Sequence, residues 1–179
     1  MSSEALLKRV QTWRVMLLST GELTLQEALA RESIPVKMGQ ELRLLNLPAD
    51  AEHGKGIWIN AKNPATLSDD IGAASAKYYG TAGPAFTRFL LHDIPNAKTK
   101  AAAHIQTMEN RLLSPDCPGQ IRRAAKRFAL VAAAGKLAIE ALRLDWLERE
   151  IEDAAAALFD CWKSESQISQ SGEAMQCLN

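Results

Sequence analysis

The strongest constraint on this chain is one long periodic run in its second half. Ile121, Ala125, Phe128, Ala132, Gly135, Ile139 and Leu142 recur at alternating four- and three-residue steps. That spacing places them on one face of a helix of about six turns. A helix with a single apolar face must bury it against other elements, so the run predicts a helical layer around it. Alanine, leucine and helix-compatible polar residues dominate everything after Thr66, with turn residues gathered at Gly80 to Pro84, Pro95 and Ser114 to Gly119. Asp145 and Glu148 match a capping box and predict a last helix to about Trp162, with Leu147, Ile151, Ala154, Leu158 and Cys161 on its apolar side. Past Lys163 the residues are small and polar, and a loose tail is expected.

The first half has a different pattern. Trp13 to Thr20 (WRVMLLST) is nearly continuous in apolar residues and ends at Gly21, as a strand buried on both faces does. Thr24 and Glu27 form a capping box that opens a short helix to about Arg31. Glu41 to Leu47 (ELRLLNL), closed by Pro48, predicts a second strand. Ala49 to Pro64 reads as a loop around a possible short strand, Gly56 to Ile59. The expected fold is thus an α/β N-terminal part of about two to three strands followed by a mostly α-helical region, helix-dominated overall.

Composition narrows the function classes. Lys and Arg number 21 and Asp and Glu also 21, so no whole-molecule field favours nucleic acid, and such binding needs a local patch. Cys117, Cys161 and Cys177 are odd in number, widely spaced and without a CxxC pair, which argues against a disulfide framework or a zinc site and favours a reducing cytoplasm. No apolar run reaches the roughly 18 to 20 residues of a membrane span, and Met1 to Leu7 lacks the layout of a secretory signal. His53, His92 and His104 share no metal-ligand spacing, and neither GxSxG nor HExxH occurs.

Five blocks, in order, resemble one family: WRVMLLSTGE (Trp13 to Glu22), GQELRLLNLPAD (Gly39 to Asp50), GKGI (Gly54 to Ile57), YGTAGPAF (Tyr79 to Phe86) and GQIRRAAKRFALVAAAGKL (Gly119 to Leu137). A weaker block runs from Trp146 to Trp162. The family is "domain of unknown function 927", helicase-like P-loop ATPases of phages, plasmids and integrated elements. The resemblance implies that the strands belong to a P-loop/AAA+-like sheet and the helices to a lid. It implies γ-phosphate sensing at Ser19 and Thr20, which equally read as a strand end before the Gly21 turn. Arg43, a charge within an apolar run, would be an arginine finger reaching a neighbour's nucleotide; the alternative is an edge residue facing solvent, Glu41 or Asp50. Gly119 to Arg122 resembles the GxxR opening of the lid helix, whose arginine, Arg122 or Arg123, contacts nucleotide. Lys126 and Arg127 would face phosphate or an acidic neighbour, or all four would form a solvated basic face.

The family's phosphate loop is missing. GxxxxGK[ST] wraps phosphates in backbone amides while its Lys and hydroxyl hold the terminal phosphate and magnesium. Here Lys55 is followed by Gly56, and Gly135-Lys136 by Leu137 with Leu130 where the first glycine belongs. The metal-holding acidic strand is absent from MSSEALLKRVQT, ahead of Trp13. The expectation is a truncated, non-catalytic fragment with no cofactor. Residues 1–64 would be a partial ATPase core, 65–163 a lid-like region and 164–179 a tail. Its expected partner is a full-length homologous ATPase, without a membrane. The alternative is a small nucleic-acid or protein-binding module acting through Arg122, Arg123, Lys126 and Arg127.

Overall fold

Helices make up every regular element that the computed structural model describes, over residues 12, 15–34, 42–49 and 61–165. They are α1 (Leu25–Arg31), α2 (Pro64–Lys77), α3 (Ala82–His92), α4 (Ile94–Leu112), α5 (Gly119–Leu142) and α6 (Glu148–Glu165). The chain divides into two compact units, the first ending at residue 36 and the second beginning at residue 37.

In the first unit, Thr24 caps α1 as its sequence predicts. Its hydroxyl accepts the Glu27 amide at 3.2 Å, and the Glu27 carboxylate accepts the Thr24 amide at 2.7 Å. These bonds satisfy two of the amides that a helix start leaves without partners. The strand expected over Trp13 to Thr20 does not form among the described residues. Residues 15–20 carry no ladder, Val15 to Leu18 are exposed, and Leu18 is 96% accessible. The α/β expectation is therefore corrected: no strand or sheet occurs among the described residues. A short apolar run has the composition of a buried strand, but a strand exists only where neighbours take its backbone hydrogen bonds.

The second expected strand, Glu41 to Leu47, fails for a visible reason. Residues 42–44 form a turn and bend, and Leu42 is buried among Cys117, Ile121, Phe128, Phe159 and Trp162, with Leu45 packed against the same cluster. The leucines that suggested a strand instead strap a helical core. Gly56 to Ile59 lies outside the described residues.

In the second unit α5 is the central element, packed between α4 and α6, with α3 leaning on it. Its buried residues include Ile121, Ala124, Ala125, Phe128, Ala129, Ala132, Ala133 and Leu137. Most are alanines, which let neighbouring helices approach closely. Met108 of α4 and Ala155 of α6 meet Ala129 and Ala132 in the middle of the unit. Toward the Gly119 end an aromatic group closes the core: Phe128 stands edge-on to Phe159 with centroids 5.5 Å apart, and Phe159 stacks on Trp162 at 6.0 Å. Burying one such ring contributes about 1.5 to 3 kcal/mol.

α6 is rotated from its expected setting. Ala155, Phe159 and Trp162 are buried, whereas Leu147 and Leu158 are exposed. The aromatic side chains, with more apolar area than leucine or alanine, set the buried side. The helix starts at Glu148, so the Asp145–Glu148 box is replaced by Glu150, whose carboxylate accepts the Leu147 amide at 2.9 Å. Cys117 also departs from expectation, being disulfide-bonded, while Cys161 keeps its thiol. Gly80, at φ 75°, makes the turn between α2 and α3, a conformation glycine adopts without a Cβ penalty.

Candidate functional site

The basic cluster stands at the start of α5. Pro118 occupies the N-cap position and supplies no side-chain acceptor, so the first amides of α5 have no side-chain cap. Arg122 folds back on the preceding loop, its Nη2 donating to the Pro115 carbonyl at 3.1 Å. Arg123 donates through Nε to the Gly119 carbonyl at 3.2 Å. Both residues proposed for nucleotide contact are thus used locally, closing the loop and first turn. Arg123 and Lys126 are exposed, and Arg122 and Arg127 are half-buried. Among the described residues no carboxylate pairs with any of the four.

One turn further on, the same side of α5 becomes apolar. Leu130 is 43% and Val131 54% exposed, in the middle of the best-packed helix of the chain. Counting along α5, Arg123, Arg127, Leu130, Val131 and Ala134 fall on one side, opposite the Ile121–Ala125–Ala132 face. The result is a surface of mixed character, cationic at one end and apolar at the other, carried on a rigid element.

The other proposed site residues lie on other segments of the chain. Ser19 and Thr20 are exposed in a segment of the first unit without regular structure. Arg43 is exposed in the turn after Leu42. It follows Leu42, which is buried in a cluster shared by α5 and α6, and no carboxylate among the described residues pairs with it.

Sequence reasoning missed a charged network where α4, α5 and α6 meet. The Lys136 side chain is 9% exposed, and its Nζ lies 2.6 Å from Glu152 Oε1 and 3.0 Å from Glu148 Oε2. Arg111 Nη2 approaches Asp153 Oδ1 at 2.6 Å, and Arg111 Nη1 approaches Glu152 Oε2 at 3.8 Å. Burial pulls the Lys136 pKa down, but hydrogen bonds and charge from Glu152 and Glu148 outweigh it, leaving the pKa raised above 10.5. Each cation faces a carboxylate, so the network fixes helix register and offers no group for chemistry. Its signal in the sequence was a lysine amid the small residues of α5.

Among the described residues no group of His, Cys, Asp or Glu gathers to hold a metal ion, and no helix is long and apolar enough to cross a membrane. A scan of protein-family models, a search of curated proteins and a search of solved structures each return no match to this chain.

Proposed function

We propose that the chain is a non-catalytic protein-binding module whose contact surface is the solvent-facing side of α5. The observation that carries this reading is the juxtaposition of Arg123, Lys126 and Arg127, which no carboxylate among the described residues pairs, with exposed Leu130 and Val131 on one rigid helix. Cations without carboxylates beside an uncapped helix start favour an acidic partner. Exposed aliphatic side chains add the apolar area on which protein contacts rely. A duplex would be met by charge alone, which the balanced composition does not favour.

The partner we propose is a full-length helicase-like ATPase of mobile elements, the kind the sequence resembles. What supports it is the coincidence of the GQIRRAAKRFALVAAAGKL block with α5. Without a phosphate loop, the module would act by occupying a subunit contact. The test adds excess chain to such an ATPase and follows its hydrolysis rate and co-elution. Inhibition with co-elution, both lost in Arg123→Glu/Lys126→Glu, is the expected result. An unchanged rate with no co-elution defeats the choice of partner. Tight, strongly salt-dependent binding to a labelled DNA duplex would replace the protein reading with a nucleic-acid one.

A further inference from the structure

α2 is a 14-residue helix with no buried residue, and it packs on no other described helix beyond marginal contact. A helix of that length is marginal in water unless tertiary contact covers one side. Leu67, Ile71, Ala74 and Tyr78 recur at steps of four, three and four, one stripe along α2 and its C-cap. Leu67, Ile71 and Tyr78 are all exposed. Asp70 flanks the stripe, and among the described residues neither Asp69 nor Asp70 is paired with a cation.

The α5 surface is the complement of this helix. The α5 stripe is cationic at Arg123 and Arg127 and apolar beyond them, whereas the α2 stripe is apolar from Leu67 to Tyr78 and carries Asp70 on one flank, with Lys77 on the same flank near its end. Laid parallel, Asp70 meets Arg127, Ala74 meets Val131 and Tyr78 reaches Ala134, while the arginine stems cover Leu67. Within one chain the two helices do not take up this packing. Each copy carries both halves, so reciprocal docking between two copies covers both stripes twice and closes the assembly.

We propose that α2 of one copy docks on the Arg123–Ala134 side of α5 in a second copy, giving a two-fold dimer. This rests on the reading of the α5 side as a protein contact. It names the second copy as an occupant of that surface and Asp70 as a determinant of its register.

The experiment is sedimentation velocity on the full chain across the micromolar range, with Asp70→Arg, Arg127→Glu and their combination. Lys126→Glu, at an exposed position, guards against a folding defect, and circular dichroism checks helix content throughout. The wild-type chain sediments as a dimer that high salt weakens. Each reversal raises the dissociation constant by about tenfold or more, and the Asp70→Arg/Arg127→Glu pair recovers most of that loss. A monomeric wild-type chain overturns the proposal, as does a dimer indifferent to the reversals. So does a monomer whose melting temperature falls with Asp70→Arg and returns in the pair, since α2 then closes on its own α5. If the monomer still co-elutes with the ATPase through Arg123 and Lys126, only the dimer fails. If that binding is lost too, the choice of the ATPase as partner fails with it.

Discussion

Gly135 of α5 packs directly against Ile151 of α6: a Cβ on Gly135 would stand 2.8 Å from Ile151 Cγ2. The colliding atom belongs to a β-branched side chain, whose stiff χ1 gives it little room to move. Gly135→Ala gains about 1 kcal/mol in helix propensity but forces the helices apart, at a cost of about 1 to 3 kcal/mol. The net expectation is a loss of about 1 kcal/mol, with a larger loss for Gly135→Val. Thermal denaturation checks it, and the penalty should shrink when Ile151→Ala removes the obstacle. A Gly135→Ala variant more stable than wild type would show that α6 is free to shift.

Lys136 neutralises two carboxylates while almost wholly enclosed. Lys136→Met leaves Glu148 and Glu152 without their cation, although Arg111 still approaches Glu152. Glu148 is solvated enough to soften the penalty, so the expected loss is about 2 kcal/mol, below that of a fully buried pair. The pH dependence has a definite sign. The folded pKa is raised, so this contribution is fully present below 10.5 and is lost as pH rises through the raised folded value. Urea denaturation from neutral pH to above 10.5 should show wild type losing stability that Lys136→Met does not lose.

Glu27 shows the opposite linkage. The Thr24 amide and hydroxyl both donate to its carboxylate, and these bonds, backbone bond foremost, hold its pKa below 4.5. The stabilisation of α1 is therefore present above 4.5 and is lost as pH falls through the lowered folded value. Amide exchange over residues 25–31, compared between wild type and Glu27→Gln at neutral pH and under acid, should converge under acid. Equal protection at neutral pH would remove the capping box as a determinant of α1.

Arg143 ends α5 in the left-handed region, at φ 52° and ψ 47°, with its amide and that of Leu144 both donating to the Ile139 carbonyl. A side chain there is strained, and glycine is the residue that helices most often place at such an end. Arg143→Gly should raise stability by about 0.5 to 1 kcal/mol, seen as a higher melting temperature. Arg143→Val should lower it. The reverse order would mean that the arginine side chain makes a contact outweighing the backbone strain.

Local signals in the sequence proved sound where the physics is local. Thr24 and Glu27 sit three residues apart and close their own box. The 3.6-residue recurrence from Ile121 to Leu142 needs only a helix to be satisfied. Leu42 and Leu45 show the limit, since leucines beside a turn pattern equally well for a strand and for a strap over a helix pair. The basic residues of α5 were legible as a cluster, but the turning of Arg122 to Pro115 and of Arg123 to Gly119 was not. Those bonds depend on where the 114–118 loop runs.

The capping of α1 by Thr24 and Glu27 and the helical periodicity of α5 are properties of neighbouring residues, and the sequence alone determined them. The side of α6 that is buried, the enclosure of Lys136 by Glu148 and Glu152, and the failure of Val15 to Leu18 to form a strand among the described residues were decided by tertiary structure. Burial and pairing are relations between segments far apart in the chain. An apolar or charged residue carries no mark of which partner it will meet until the helices are packed.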